Sequence, residues 1–284
     1  MPELPEIANR AREMNAELTG RRVLGAEVEQ PKCLNLDVEA FRDHLSGARI
    51  EGTTYRGKWL FVKTSRGYLL INLGMGGELL LVRRDGLPAR WRVRLDLDGD
   101  DALAINFWWM GHAHFVLPEK LAEHRWTAQL GPNATEIDRE AFARLLVGRR
   151  GRIKSLLLNQ SRIAGIGNAY IHDILFAAGV HPMRLTSSLA DDEMDRLHEA
   201  VRTELGRSLE LGGAWYEVDL HGAPGGFRRD DLIIAYREGE PCPRCGSSIE
   251  KIRTGSTSSY VCPRCQMLPV REGTTGASGA APVD

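Results

Sequence analysis

Apolar residues change their spacing twice along the chain, and each change predicts a different kind of structure. Between Pro2 and Thr19, Ile7, Ala11, Met14 and Leu18 recur every three to four residues, which lays one apolar stripe along a helix, and Gly20 supplies a stop. From Arg22 to about Leu117 the spacing shortens to alternating or continuous runs: Val23 to Val28, Arg49 to Tyr55, Trp59 to Thr64, Tyr68 to Leu73, Glu78 to Val82, Trp91 to Leu97 and Ala102 to Phe107. Glycine and Asp-Gly turns separate these runs, the pattern of an antiparallel sandwich or barrel. After Leu130-Gly-Pro-Asn133 helical spacing returns at Asp138 to Val147, Ile153 to Asn159, Ala169 to Ala178 and Asp191 to Leu211, so a domain boundary is expected near residue 132. No period of about 20 to 50 residues repeats, which excludes a solenoid. The last 13 residues, EGTTGASGAAPVD, offer almost nothing to bury and are expected to be disordered.

Composition narrows the class. The chain has 284 residues, 43% of them apolar, enough for a sizeable core and about two domains. Because 37 Lys and Arg stand against 38 Asp and Glu, any surface for nucleic acid has to come from local clustering of charge. No run approaches the roughly 20 apolar residues of a membrane span. The start, MPELPEIANRARE, carries acids where a secretion signal has a basic and then an apolar region, so a cytoplasmic location is expected. Of five cysteines, Cys33 stands alone and four sit together near the C-terminus, unlike a disulfide framework.

Those four form two C-x-x-C knuckles, Cys242-Pro-Arg-Cys245 and Cys262-Pro-Arg-Cys265, 16 residues apart. Each knuckle turns tightly enough to offer two thiolates to one ion, which predicts a tetrahedral structural zinc site. The intervening segment suits a β-hairpin, Ile249 to Arg253 out and Ser259 to Val261 back. Arg244, Lys251, Arg253, Arg264 and Arg271 give this region a local positive excess of the kind that a phosphate-contacting finger needs, or that a solvated face carries. At the other end, Pro2-Glu3-Leu4-Pro5-Glu6 fits ordinary helix-start chemistry, with proline in the first turn and acids at the positive end of the dipole. It also fits a nucleophile: trimming Met1 exposes a secondary amine at Pro2. An α-amino group with a pKa near about 8 is partly neutral at physiological pH. Attack on a sugar C1′ gives an iminium ion that acidifies the C2′ proton, chemistry suited to cutting a glycosidic bond and then the DNA backbone.

MPELPE at the start, GKWL around Lys58, NLGMGG around Met75, GIGNAY over Gly165 to Tyr170 followed by FAAGVHP, and the terminal CPRCG and YVCPRCQ together resemble the formamidopyrimidine-DNA glycosylase/endonuclease VIII family. The motifs run in order from residue 2 to about 268. The resemblance implies an α+β multidomain protein. Residues 1–132 would form an antiparallel β-sandwich with an N-terminal helix, 133–236 a helix-two-turns-helix domain, and 237–271 a zinc finger, with 272–284 as a tail and DNA in the cleft. It implies Pro2 as Schiff-base nucleophile, Glu3 as general acid/base, Glu6 as supporting carboxylate, Lys58 as phosphate contact beside the lesion, and Asn168 as the asparagine that holds the backbone. Met75 is the retained wedge residue. Lys154 and Arg253 are further expected DNA contacts, and one zinc ion is implied on Cys242, Cys245, Cys262 and Cys265.

The chain departs from the family at informative places. Thr257 stands where the finger usually has a phosphate-gripping arginine, and a threonine makes one hydrogen bond from a short arm where arginine makes a charged bidentate grip. Aligned on Gly111, Trp108, Trp109 and Met110 replace the arginine that faces the orphaned base and its neighbouring phenylalanine; tryptophan can stack on a base but cannot pair selectively with cytosine. At least one tryptophan is expected to be exposed. His112 and His114 would share a strand face, with no third metal ligand evident, and Asp173 replaces a more usual glutamate. The expected function is a bifunctional glycosylase and lyase acting on damaged double-stranded DNA by β- or β,δ-elimination. It is expected as a monomer in the bacterial cytoplasm, nucleoid-associated when bound to DNA, with no membrane partner. The departures leave two alternatives open, a non-catalytic damage binder on the same scaffold and a glycosylase specialised for bulky or cross-linked bases.

Overall fold

A computed structural model describes residues 1–268; Arg271 and the expected disordered tail, 272–284, lie outside the described residues. The first helix, α1 (Leu4–Leu18), begins after Pro2 and Glu3 and carries the expected apolar stripe, with Ile7, Ala11, Met14 and Leu18 all buried. Strands β1 (Val23–Val28), β2 (Ile50–Arg56), β3 (Trp59–Thr64), β4 (Gly67–Asn72), β5 (Glu78–Arg83), β6 (Val93–Leu97) and β7 (Asp101–Asn106) follow within a residue or two of the apolar runs. One helix was not anticipated, and the strand expected to carry His112 and His114 on one face is present. Helix α2 (Val38–Leu45) crosses from β1 to β2, capped by Asp37, whose side chain accepts from Ala40 N; strand β8 (His112–Val116) completes the second sheet.

The strands form two antiparallel four-stranded sheets, ordered β1-β6-β7-β5 and β2-β3-β4-β8. Leu60, Val62, Leu69 and Ile71 from one sheet meet Leu95, Leu97, Leu103 and Ile105 from the other in one apolar cluster. Burying such side chains contributes roughly 1.5–3 kcal/mol each before conformational entropy is charged against it. Beyond it lie α3 (Arg139–Leu146), α4 (Ile153–Leu157), α5 (Ile171–Ala178) and α6 (Asp191–Glu210), with their own core around Phe142, Ile153, Ile174, Leu197 and Val201. Strands β9 (Glu250–Thr254) and β10 (Thr257–Val261) make the C-terminal hairpin. Helix α1 serves both cores: Ile7 and Ala11 belong to the sandwich, Leu4 and Ala8 to the helical cluster. Its N-terminus therefore lies at the junction, where the next elements converge. Among the described residues no helix is long and apolar enough to cross a membrane.

Candidate active site

Segments more than 150 residues apart meet at the start of α1. Glu3 caps the helix in an extended conformation, and Glu6, three residues on, accepts from Glu3 N at 2.8 Å. The Glu3 carboxylate is held by the loop before α5, accepting from Gly167 N at 2.6 Å and from Ala169 N at 2.9 Å. Backbone amides near a helix start are fixed anion donors that need no reorganisation. Two glycines make this approach possible. Gly165 has φ +109°, where an added Cβ would also run into Leu4, and a Cβ at Gly167 would fall inside 3.0 Å of both the Glu3 carboxylate and Lys58 Nζ. Gln160 braces the loop, accepting from Gly165 N and donating to Ile166 O, each at 2.8 Å.

Glu6 is buried and ties the junction together. It accepts from Tyr170 OH and from Ala214 N, while Tyr170 OH also meets Ser208 Oγ at 2.6 Å. Burial, opposed by those hydrogen bonds, raises the Glu6 carboxyl above the ordinary glutamate range. Lys58 occupies the turn between β2 and β3, where its carbonyl accepts from Asn72 Nδ2 at 2.9 Å. A cavity of about 470 Å³ opens here, lined by Met1, Lys58, Trp59, Asn72, His112 and Asn168 among others. The side-chain oxygen of Asn168 is buried without a protein partner. On the opposite side of the chain start a second cavity, about 360 Å³, is lined by Met1, Glu78, Asn106, Trp108, Tyr216 and Glu217 among others.

At the cleft edge the Met75 turn and residues 108–110 form one tip: Met75 N donates to Trp109 O at 2.9 Å and Trp108 N donates to Met75 O at 3.0 Å. Both tryptophans face outward, Trp108 65% and Trp109 70% exposed, and Met75 and Met110 are exposed beside them. An exposed apolar tip of this size is the kind of patch that marks a binding surface. Behind it, His112 and His114 share a face of β8 as expected, and the turn that follows the strand adds a third imidazole, His124. His114 Nδ1 lies 2.9 Å from His124 Nε2, and His124 Nδ1 lies 2.8 Å from Thr127 Oγ1. These rings are joined by hydrogen bonds, and burial pushes His114 down to about 3, so the neutral form persists. His112 is stacked between Trp59 and Trp126, with ring centroids 5.7 and 5.5 Å away.

The four knuckle sulfurs all lie within 4.8 Å of one another, Cys242 to Cys265 at 3.8 Å and Cys245 to Cys262 at 3.4 Å. Tetrahedral zinc with bonds of about 2.3 Å needs sulfurs about 3.8 Å apart, so the donor set fits one structural zinc ion. One expected DNA contact of this region proves to be internal. Lys154 is buried: its Nζ lies 2.7–3.1 Å from Thr254 Oγ1, Thr257 Oγ1, Ser258 O and Ser259 Oγ, four acceptors that share its three protons, pinning α4 to the hairpin. The Thr257 hydroxyl offered to phosphate is thus already engaged by that lysine. Arg244 donates to Phe176 O and Ala177 O at the end of α5, which removes it from the free positive charge, whereas Arg253 stays exposed, donating to Gly255 O. Asp173 accepts from three successive amides, Ile233, Ile234 and Ala235, and so carries the segment leading into the finger.

Comparison with known proteins agrees with this architecture. Residues 1–107 match the formamidopyrimidine-DNA glycosylase N-terminal domain, 130–219 the H2TH domain of the same enzyme, and 239–266 the zinc finger found in FPG and IleRS. Formamidopyrimidine-DNA glycosylase of Chloroflexus aurantiacus is 35% identical over 273 residues, covering 94% of this chain and 98% of that one. The Solibacter usitatus enzyme of the same name is 36% identical over 271 residues, covering 94% and 99%. Among solved structures, the Lactococcus lactis Fpg complex with N7-benzyl-Fapy-dG DNA superposes with a TM-score of 0.87 at 27% identity, covering 94% of this chain and all of that one. The Lactococcus lactis complex with abasic-site DNA gives 0.87 at 26%, with the same coverage. Three domain matches in order and identity over nearly the whole length lead to one conclusion: the chain belongs to the formamidopyrimidine-DNA glycosylase family.

Proposed function

We propose that this protein is a DNA glycosylase and abasic-site lyase of base excision repair that acts on damaged duplex DNA through the amine of Pro2, freed by removal of Met1. The observation that carries this reading is the Glu3 carboxylate, gripped by two loop amides directly beside Pro2 and Lys58. The neutral secondary amine attacks C1′ of a flipped nucleotide. The base leaves with the electrons of the glycosidic bond, the nitrogen gives up its remaining proton, and the C1′–O4′ bond opens as O4′ takes a proton, which leaves the iminium; a base then removes the C2′ proton for β-elimination, and a second elimination at the other phosphate gives the β,δ product. Glu3 is next to the attacking nitrogen and moves protons at the sugar, while Glu6, through Glu3 N, Tyr170 and Ala214, keeps Glu3 and the chain start in place. Lys58 and Asn168, which line one cavity, hold the phosphates flanking the lesion. Flipping costs a few kcal/mol and is cheapest at a damaged or mispaired base, which supplies part of the selectivity.

The tip of Met75, Trp108, Trp109 and Met110 enters the gap that the flipped nucleotide leaves. Lacking an arginine to hydrogen-bond an orphaned cytosine, it fills the gap by stacking and discriminates weakly between opposite bases. The same open, aromatic tip favours bulky or cross-linked bases as a second substrate class. Exposed Arg253 reaches the strand near the finger. The protein works as a monomer in the bacterial cytoplasm. Mass spectrometry should show Pro2 as the first residue, and borohydride should trap a covalent adduct on abasic-site duplex. Pro2→Gly and Glu3→Gln should remove most cleavage while leaving binding nearly intact. Retention of Met1, or no adduct on any duplex of a lesion panel, refutes the reading in favour of a damage binder.

A further inference from the structure

The loop of residues 212–228, after α6, folds back onto the chain start. Ala214 N donates to Glu6, Leu220 N donates to Glu13 at 3.0 Å, and Leu81 N donates to Leu220 O at 2.8 Å, so helix and sheet both hold it. This return carries Glu217 to the amino terminus. Its Oε1 is 3.5 Å from the α-amino nitrogen of Met1, its side chain is only 13% exposed, and it lines one small cavity together with Pro2, Glu6 and Arg10. No other carboxylate of the described residues forms an ion pair with the amino terminus. Once Met1 is trimmed, the amine of Pro2 and the Arg10 guanidinium are the cations left around that cavity for a largely buried carboxylate, and such a charge is costly without a partner.

We propose that Glu217 is the proton acceptor of the Pro2 amine. The inference rests on Pro2 being the nucleophile. The ammonium gives one proton to the Glu217 carboxylate, and the neutral amine attacks the aldehyde carbon of an abasic site, forming the C–N bond as the carbonyl electrons move to oxygen. Glu217 returns its proton to that oxygen, the second N–H proton follows, and the C–O bond breaks to release water and leave the iminium. Secondary ammonium and aldehyde thus become iminium and water, with charge conserved and no co-reactant.

The surroundings suit a group that gains and loses a proton near neutrality. Burial pushes the Glu217 carboxyl up to about 7, opposed by the adjacent amine and reinforced by Glu6 and Glu3 across the junction. Arg10 of α1, itself buried, faces it with a favourable charge; Glu78 of β5 shares its cavities, and Tyr216 and Asp219 flank it on its own loop. Glu217 sits in a stretch that matches none of the sequence motifs.

The test is the rate of borohydride-trapped adduct on an abasic duplex from pH 5 to 9, for full-length wild type, E217Q and E217D, beside affinity for a reduced, uncleavable abasic duplex. In the wild type the rate should rise through about pH 7. E217Q should lower the rate at neutral pH about 100-fold, within the range of a general base, and lose that limb, with affinity within twofold of wild type; E217D should restore the limb in part. Identical profiles for wild type and E217Q overturn the proposal, as does parallel loss of affinity and trapping in both variants, which marks a role in holding the loop. A wild type that forms no adduct at any pH fails the Pro2 reading itself, a result distinct from either.

Discussion

Replacing Gly167 by alanine tests the active-site geometry with a single methyl group. Gly167 does not lie in the left-handed region, so alanine meets no backbone penalty there, and removing a glycine even lowers the entropy of the unfolded chain. The added Cβ nevertheless falls inside 3.0 Å of the Glu3 carboxylate and of Lys58 Nζ. Real Cβ contacts do not sit that close, so the carboxylate and the ammonium must retreat by about 1 Å, and the 2.6 Å bond from Gly167 N to Glu3 has to lengthen or break. A displacement of about 1 Å at reacting groups costs on the order of 100-fold in rate, about 2.7 kcal/mol of barrier. Lys58 lines an open cavity and can swing aside, and the buried Glu3 carboxylate has to give up only its short bond to Gly167 N, so the thermal midpoint should move by only a few degrees. Single-turnover cleavage of an abasic duplex should fall about 100-fold, while a reduced abasic duplex still binds. Wild-type cleavage by a folded G167A protein would refute the argument, because Glu3 and Lys58 would then not need the positions seen here.

Other expected outcomes follow from the finger, the tip and the buried histidines. Lys154→Met takes the ammonium away from Thr254, Thr257 and Ser259; Thr254 and Ser259 still meet each other, but the hairpin loses its tie to α4, a charge-assisted contact worth about 1–3 kcal/mol, so a chelator should strip zinc from this variant at least tenfold faster than from wild type; an unchanged rate removes Lys154 as the pin of the hairpin. Trp109→Ala should cost about 1–3 kcal/mol of affinity for an abasic duplex while leaving the salt dependence of binding unchanged. Excision of 8-oxoguanine with a strong preference for opposite cytosine would contradict the stacking role of the tip. His114 and His172 are both lowered to about 3, first by burial, so between that value and about 6.5 the unfolded chain binds more protons than the folded one. Stability should therefore fall as pH drops below about 6.5, and a thermal midpoint constant from pH 7 to 5 would show that the rings protonate in place.

The elements that periodicity revealed are those long enough to repeat their spacing. Helix α1 and seven strands were legible because each repeats a two-residue or a three-to-four-residue spacing of apolar residues along its length. Helix α2 was legible in principle, from Asp37 as cap and from Val38, Phe41 and Leu45, but it is only eight residues long and lies among strands, where the dominant texture hides it. The knuckle spacing and the order of the motifs carried the zinc site and the family, since both depend on residues close in sequence.

What the sequence could not show are roles set by partners far along the chain. Lys154 looked like a free cation, yet its four oxygen partners lie about 100 residues away, and only the docked hairpin turns a phosphate contact into a pin. Glu217 carries no motif, and it reaches the amino terminus only because α6 and the loop after it return to α1. Residue type and spacing decide local geometry and the inventory of reactive groups. Which of those groups face each other, and which are shielded from water strongly enough to change their protonation, depends on long-range packing, and that is decided only when the two cores close around α1.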